Sequence, residues 1–97
     1  MNTASAKNRR IRTALLNILK TEYPAAVDLK VLQFATDSLG YPMPDGMLEA
    51  HLRYLEEKKY VHLEVRKGFG FEFSFASLTA EGWDLLDGHL KERGVEP

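Results

Sequence analysis

The side chains that most often bind metal ions or transfer protons are spread singly along this chain. His51, His62 and His89 have no second histidine three or four residues away, the spacing that places two imidazoles on one helix face for a zinc ion. Glu56 and Glu57 are adjacent, so on a helix they point in different directions and cannot act together on one substrate. We therefore expect these groups to be solvated or partly packed, and we predict neither a metal site nor acid–base catalysis.

Nucleophilic and phosphate-binding chemistry also lacks its sequence signals. The chain has no cysteine, so it has no thiol nucleophile, disulfide or thiolate metal ligand. No serine lies in a nucleophile elbow between glycines; the serines of the chain are Ser5, Ser38, Ser74 and Ser77. The segment 67–70 (Lys-Gly-Phe-Gly) lies between predicted strands, whereas a phosphate-binding loop joins a strand to a helix. We predict that the protein is not an enzyme and uses no metal or cofactor.

Length and composition are those of one small globular domain. Of the 97 residues, 44% are hydrophobic and 28% are charged. We expect a single domain over 1–97, with a short N-terminal arm at 1–7 and a C-terminal tail at 92–97. No apolar run approaches the roughly 20 residues that span a bilayer, and no hydrophobic stretch typical of a signal peptide follows the N-terminus. The sequence therefore predicts a cytoplasmic protein with no membrane partner.

Helical periodicity predicts two helices in the first forty residues. The first covers 8–22, where apolar residues recur at the spacing of an amphipathic helix: Ile11, Ala14, Leu15, Ile18 and Leu19. Tyr23-Pro24 ends this helix, because proline pushes the preceding residue out of helical geometry. Asp28 offers an N-cap for the second helix and Gly40 a C-terminal stop. Its apolar residues at helical spacing are Leu29, Leu32, Ala35 and Leu39.

The rest of the chain predicts a third helix, a hairpin and a last helix. A turn at 41–46 precedes the third helix, whose buried face carries Leu48, Leu52 and Leu55. The segment 60–65 alternates as a half-buried strand, 66–70 is a glycine-bearing turn, and the next strand carries alternating phenylalanines. Thr79 is the expected N-cap of the last helix, which has Trp83, Leu86 and Leu90 along one side. A weak strand signal also occurs at 25–27.

The phenylalanines of the hairpin have two interpretations. The set comprises Phe69, Phe71, Phe73 and Phe75. They could stack on bases, as in proteins that bind single-stranded nucleic acids. We expect instead that they pack the sheet onto the third helix and the last helix.

Two segments resemble winged-helix regulators. The segment 48–61 is similar to their third helix and second strand, with leucines three apart, a Glu-Lys-rich turn and a hydrophobic pair at the start of the strand. The segment 78–82 (Leu-Thr-Ala-Glu-Gly) resembles the Leu-Thr-x-x-Gly step that follows the wing in several of these families. Lys59 stands where such proteins often carry glycine. The resemblance implies an α+β winged helix-turn-helix: a three-helix unit, a β-hairpin wing and a C-terminal helix.

A narrower resemblance is to small winged-helix proteins of Mu-like phages and prophages. It is carried by Arg9-Arg10, the Leu-Thr-x-x-Gly step, Asp87-Gly88 and the ending 94–97 (Gly-Val-Glu-Pro). It implies a phage or prophage origin and supplies no activity.

The winged-helix resemblance implies binding to double-stranded DNA, with the third helix in the major groove. Its outward residues would be Met47, Glu49, Ala50, Arg53 and Tyr54. Arg53 could contact guanine edges, and Tyr54 a phosphate or a thymine methyl group. Phosphate contacts are expected from cations at the wing and in the first helix: Arg66, Lys67, Arg9, Arg10 and Arg12. This predicts a transcriptional regulator.

Charge favours an alternative, a non-catalytic module that binds or assembles with a protein partner. The net charge is −1, and residues 1–20 carry five bases and no acid, whereas residues 72–97 carry two bases and six acids. Residues 45–59 contain four acidic and three basic side chains, and acidic side chains repel DNA phosphates.

Self-association is a further prediction. Trp83, Leu86 and Leu90, or the apolar stripe of the first helix, could form a homodimer interface. The alternative is that Trp83 covers the core of its own chain.

Overall fold

The structure is a computed structural model that describes residues 3–96. It contains α1 (Thr3–Glu22), β1 (Val27–Asp28), α2 (Leu29–Ser38), α3 (Met47–Glu57), β2 (Val61–Gly68), β3 (Phe71–Leu78) and α4 (Ala80–Leu86). The strands form an antiparallel sheet in the order β1-β3-β2. The α+β class predicted from the sequence is confirmed. In the described part of the chain, no helix is both long and apolar enough to cross a membrane.

α1 is longer than the periodicity predicted. It begins at Thr3 rather than at Asn8, so most of the expected N-terminal arm is helical; Met1 and Asn2 lie outside the described residues. The helix ends at Glu22, immediately before Tyr23-Pro24, as expected. Its apolar stripe supplies the centre of the core with four buried side chains: Ile11, Leu15, Leu16 and Leu19.

α2 begins directly after Asp28 and α3 directly after the turn at 41–46, as the sequence predicts. The carboxylate of Asp28 accepts a hydrogen bond from the backbone N–H of Lys30 at 2.7 Å, and Gly40 adopts a φ of +90° after the helix ends. Leu39 lies past the last helical residue and is exposed, which corrects its predicted place on the buried stripe. The expected core face of α3 is buried at Leu48, Leu52 and Leu55.

The turn from α3 into β2 is tight although Lys59 occupies the position that favours glycine. Lys59 has a φ of +69°. Its N–H donates to the carbonyl of Glu56 at 2.8 Å, and the N–H of Tyr60 donates to the carbonyl of Leu55 at 2.9 Å. This is a Schellman motif, in which Tyr60 and Leu55 are both buried.

The β2–β3 hairpin is longer than predicted. The strands pair from Val61 opposite Leu78 to Gly68 opposite Phe71. Only Phe69 and Gly70 form the turn, both with positive φ (52° and 77°), as a type I′ turn requires. The strand therefore continues through the segment 66–68, which the sequence assigned to the turn.

The register places the phenylalanines on the side of the sheet that faces away from the core. Val61, Leu63, Ala76 and Leu78 share one face of the hairpin and lie in or against the core. The odd-numbered positions of β3 point the other way. Phe71 is therefore 66% exposed and Phe73 42% exposed, and Phe69 in the turn is fully exposed. The prediction that these side chains and Phe75 pack onto the helices is wrong, since none of the four belongs to the core or packs against it.

The Leu-Thr-x-x-Gly step fixes α4 against the turn between α3 and β2. Thr79 caps α4 by accepting a hydrogen bond from the N–H of Gly82 at 3.0 Å, and its hydroxyl donates to the carbonyl of Lys59 at 2.7 Å. A Cβ at Gly82 would collide with the carbonyl of Tyr60. α4 ends at Leu86, so Leu90 lies outside the helix in which it was predicted.

The predicted C-terminal tail is folded against α1. Val95 is buried, and the hydroxyl of Thr13 exchanges two hydrogen bonds with the backbone of Glu96, at 2.9 and 3.0 Å. The guanidinium of Arg12 donates to the carbonyl of Gly94 at 3.1 Å. The segment 92–96 is therefore part of the packed structure.

Candidate nucleic-acid interface

α3 presents an exposed ridge beside the hairpin. Because Leu48, Leu52 and Leu55 anchor one side of the helix, the opposite side faces solvent. Exposed on it are Met47, Glu49, Ala50 and Arg53. Tyr54, which was predicted to share this surface, is half-buried and lies on the α1 side of the helix.

An open groove of about 330 Å³ separates this ridge from the hairpin. Its charged lining residues are Glu49, Arg53 and Glu56 from α3 and Glu64 from β2. Val65 and Phe75 supply apolar lining from the hairpin. Three carboxylates therefore surround one guanidinium in the groove.

Two of these carboxylates are engaged within the protein. Glu56 accepts a hydrogen bond from the backbone N–H of Leu63 at 3.1 Å, which links α3 to β2. Glu64 forms an ion pair with Arg66 at 2.7 Å, and the hydrogen bond from Arg66 lowers the pKa of this carboxyl. Glu49 and Arg53 form no ion pair with any residue of 3–96, so they are the charged groups of the groove that can meet a ligand.

The two cations of the hairpin lie on opposite faces because they are consecutive strand residues. Arg66 shares the outer face with Phe75, and its guanidinium carbon lies 4.2 Å from the centroid of that ring. Lys67 is exposed and lies opposite Glu72 across the two strands. It projects from the face of the hairpin that packs on the helices at the base of the hairpin, away from the turn. Lys67 therefore projects from the face of the hairpin opposite to that of Arg66.

The arginines of α1 hold the C-terminal segment. Arg10 donates hydrogen bonds to the hydroxyl of Tyr41 at 3.2 Å and to the carboxylate of Glu96 at 3.1 Å. Arg12 donates from Nε to Nδ1 of His51 at 3.2 Å, and its guanidinium lies 3.9 Å from the centroid of the Tyr54 ring. Arg12 is thus a structural link between α1, α3 and the segment 92–96.

Other cations line a second cleft, on the α1 side of the molecule. It holds about 570 Å³ and is lined by Arg9, Arg12, Lys58 and Arg93, with Glu92 among them. Glu92 accepts a hydrogen bond from the hydroxyl of Tyr54 at 3.2 Å and lies 3.9 Å from Nζ of Lys58. Burial raises the pKa of the Tyr54 phenol, and Glu92 raises it further.

The residues predicted for DNA contact therefore fall into two groups. The first group comprises Met47 and Arg53 on the ridge of α3 together with Arg66 and Lys67, which lie on opposite faces of the hairpin. The other four are arranged around α1 and the C-terminal segment: Arg9, Arg10, Arg12 and Tyr54.

The residues predicted for dimerisation do not form a common exposed stripe. The Trp83 ring lies 5.1 Å from that of Tyr23, with Nζ of Lys20 4.4 Å from its centroid, so it covers the end of its own α1. Leu86 packs against the core. Leu90 is exposed but lies beyond the helix.

Sequence reasoning missed the apolar surface of the hairpin. Besides its phenylalanines, Val65 is exposed, because the hairpin extends past the helices that cover its base. On α2, Val31 and Phe34 are exposed as well. Ala76 and Leu78 could have revealed the orientation of β3. They occupy the even-numbered positions, opposite in direction to the phenylalanines, and they come directly before α4.

Two solved structures share this architecture. A protein from Thermoplasma acidophilum, to which the role of a transcriptional regulator has been ascribed, has a TM-score of 0.63 at 23% sequence identity, over 79% of this chain and 74% of that chain. A PadR-family transcriptional regulator from Eggerthella lenta has a TM-score of 0.63 at 19% identity, over 79% of this chain and 68% of that chain. No family model matches the sequence, and neither does any curated protein. The chain has the winged-helix fold of these structures.

Proposed function

We propose that this protein is a winged-helix transcriptional regulator that binds double-stranded DNA and catalyses no reaction. The observation that carries the proposal is the exposed α3 ridge, on which Glu49 and Arg53 lie four residues apart beside the hairpin that serves as the wing. Residues at this spacing share one helix face. The two structures of the same fold, both described as transcriptional regulators, support the proposal.

Recognition by α3 would read a G·C-containing site. In the major groove, an arginine donates two hydrogen bonds to O6 and N7 of guanine, and a glutamate accepts one from N4 of cytosine. Arg53 and Glu49 supply these groups. An acid on α3 is compatible with this placement, because the helix faces base edges while phosphates lie at its flanks.

The wing would contact the backbone next to this site. Lys67 is exposed near the turn of the hairpin, and Arg66 can reach a phosphate once it leaves Glu64. In this proposal four residues that the sequence predicted as DNA contacts have a structural role instead: Arg9, Arg10, Arg12 and Tyr54. A homodimer would bring two α3 ridges to two half-sites. The predicted cytoplasmic location suits this role, and a Mu-like phage origin stays a prediction that rests on the sequence resemblance.

The test is fluorescence anisotropy with the full chain and a labelled duplex pool of randomised sequence, at low and near-physiological salt. We expect binding that weakens with salt and is reduced for Arg53→Ala and further for Arg53→Ala combined with Arg66→Ala. The matched control is Lys91→Ala, which removes an exposed cation outside this surface. Unchanged affinity of the double variant would show that another surface binds DNA.

A second candidate function is that of a protein-binding module without DNA affinity. The carboxylates of the groove and the exposed apolar side chains of the hairpin favour it. It predicts no duplex binding even at low salt, in the same titration. A partner recovered by pull-down and lost with a charge reversal at Glu49 would then assign the α3 groove to protein recognition.

A further inference from the structure

The apex of the wing is occupied by a side chain that folding does not require there. Phe69 is fully exposed and adopts a φ of +52° in the two-residue turn. Type I′ turns strongly favour asparagine, aspartate or glycine at this position, because a Cβ is strained at positive φ. A phenylalanine here exposes apolar area and strains the backbone, so its presence points to a contact made outside the chain.

The neighbours of Phe69 make the apex narrow. It lies between Gly68 and Gly70, and a Cβ at either glycine would have no atom within 4 Å. The rings of Phe71 and Phe73 pair with each other on the outer face, 6.2 Å apart between centroids. One aromatic ring therefore projects alone from a thin backbone loop.

This shape suits the minor groove of DNA. The groove is about 6 Å wide, and proteins that kink DNA often insert one apolar side chain between base pairs from that side. The distal part of the hairpin also complements the phosphates on the groove edges, since 65–73 contains Arg66 and Lys67 but a single acid, Glu72. The base of the same hairpin lines one side of the α3 groove through Val65 and Phe75, so the apex belongs to an element that borders the proposed interface.

We propose that Phe69 is a wedge that inserts into the minor groove beside the α3 site and unstacks one base step. The proposal rests on the DNA-binding function above. Pyrimidine–purine steps such as TA unstack most easily, so the wedge adds a preference for such a step at a fixed distance from the bases read by α3. Selectivity at that step needs no hydrogen bond to its bases.

The experiment uses the full chain and duplexes enriched from a randomised pool by the wild-type protein. One set carries 2-aminopurine at the flexible step, because its fluorescence rises on unstacking, and a second carries dyes at both ends to report bending. The variants are Phe69→Asn, which suits the turn, and Phe69→Leu, which keeps an apolar wedge. Phe34→Asn is the matched control, since Phe34 is 78% exposed but lies on α2.

We expect Phe69→Asn to bind roughly tenfold more weakly, as for loss of one aromatic–base stack, and to abolish both the fluorescence rise and the bend. Phe69→Leu should keep part of each signal, and Phe34→Asn should match the wild type. Thermal unfolding should show that Phe69→Asn is at least as stable as the wild type, which excludes misfolding as the cause.

Three results would overturn the wedge. If Arg53→Ala impairs binding while Phe69→Asn leaves affinity and fluorescence unchanged, the proposed function stands and the wedge alone is wrong. If Phe69→Asn disrupts binding to a protein but leaves duplex binding intact, the apex is a protein anchor. If the wild-type chain binds no duplex, both proposals fail.

Discussion

His51 lies on the core side of α3, next to a permanent positive charge. Its Nδ1 accepts a hydrogen bond from Nε of Arg12, so the neutral ring carries its proton on Nε2. Nε2 is buried and has no hydrogen-bond partner within residues 3–96. Burial, and secondarily the charge of Arg12, lowers the pKa of His51 below its ordinary value of 6.5. The folded state therefore favours the neutral imidazole more than the unfolded chain does.

This difference predicts how stability depends on pH. The contribution of His51 to the free energy of unfolding is complete above about pH 6.5. It is lost as the pH falls from there through the folded-state pKa, because the unfolded chain takes up a proton at higher pH than the folded chain does. Urea unfolding between about pH 8 and pH 5 measures it. His51→Asn keeps an acceptor for Arg12 and should flatten this part of the profile. Identical pH profiles for the two proteins would show that other groups cause the loss.

Lys59 gives a prediction about backbone strain. Its φ of +69° is uncommon for a residue with a Cβ, so Lys59→Gly should stabilise the fold by about 1 kcal/mol. In a domain of this size that raises the melting temperature by about 4–8 °C. Lys58→Gly is the matched control, because Lys58 has the same charge and a φ of −83°. Equal effects of the two substitutions would exclude strain at Lys59 as the cause.

Among the elements, α4 depends on close contact with the turn before β2. Gly82→Ala places a methyl group against the carbonyl of Tyr60 and the side chain of Leu78, so the helix must move away from the turn. We expect a loss of about 2 kcal/mol or more in the free energy of unfolding. Asp84→Ala, at an exposed position of the same helix, should change it by less than about 0.5 kcal/mol. Chemical denaturation of both variants tests this, and a fully stable Gly82→Ala would show that α4 is loosely attached.

The elements also show what the sequence could predict and why the rest escaped it. α2, α3 and the end of α1 follow from periodicity and local capping at Asp28, Gly40 and Tyr23-Pro24, which act within a few residues. The orientation of β3 depends on whether its odd-numbered or its even-numbered residues face the helices. Tertiary packing decides this, and no local sequence signal does. The large phenylalanines suggested that the odd-numbered residues of β3 face the helices. The even-numbered residues Ala76 and Leu78 do so instead, and they are buried in the core.

The candidate site was only partly predictable for the same reason. Arg53 is exposed as expected, because its neighbours in the helix fix its direction. The roles of Arg10 and Arg12 depend on partners more than 30 residues away, in His51 and the segment 94–96. No local pattern could show that these cations are engaged within the fold.

Over the whole molecule, two cations of the basic N-terminal part pair with two acids of the C-terminal part. Lys20 pairs with Asp87 at 3.5 Å, and Arg10 pairs with Glu96 at 3.1 Å. Part of the charge asymmetry of the sequence therefore lies in contacts between α1 and the C-terminal part, and other N-terminal cations line the second cleft. Four exposed cations lie on α2, α3 and the hairpin, where they could meet DNA: Lys30, Arg53, Arg66 and Lys67.

This distribution predicts a shallow salt dependence of DNA affinity. With about three phosphate contacts per protomer, log K should fall against log salt concentration with a slope of about −3, since each contact contributes about −0.9. Anisotropy titrations at several sodium chloride concentrations measure the slope, and Lys67→Ala should reduce its magnitude by about 1. Arg10→Ala should leave it unchanged, because that guanidinium is held by Tyr41 and Glu96. A wild-type slope steeper than about −6 that Arg10→Ala reduces would mean that the α1 arginines leave the C-terminal segment to contact DNA.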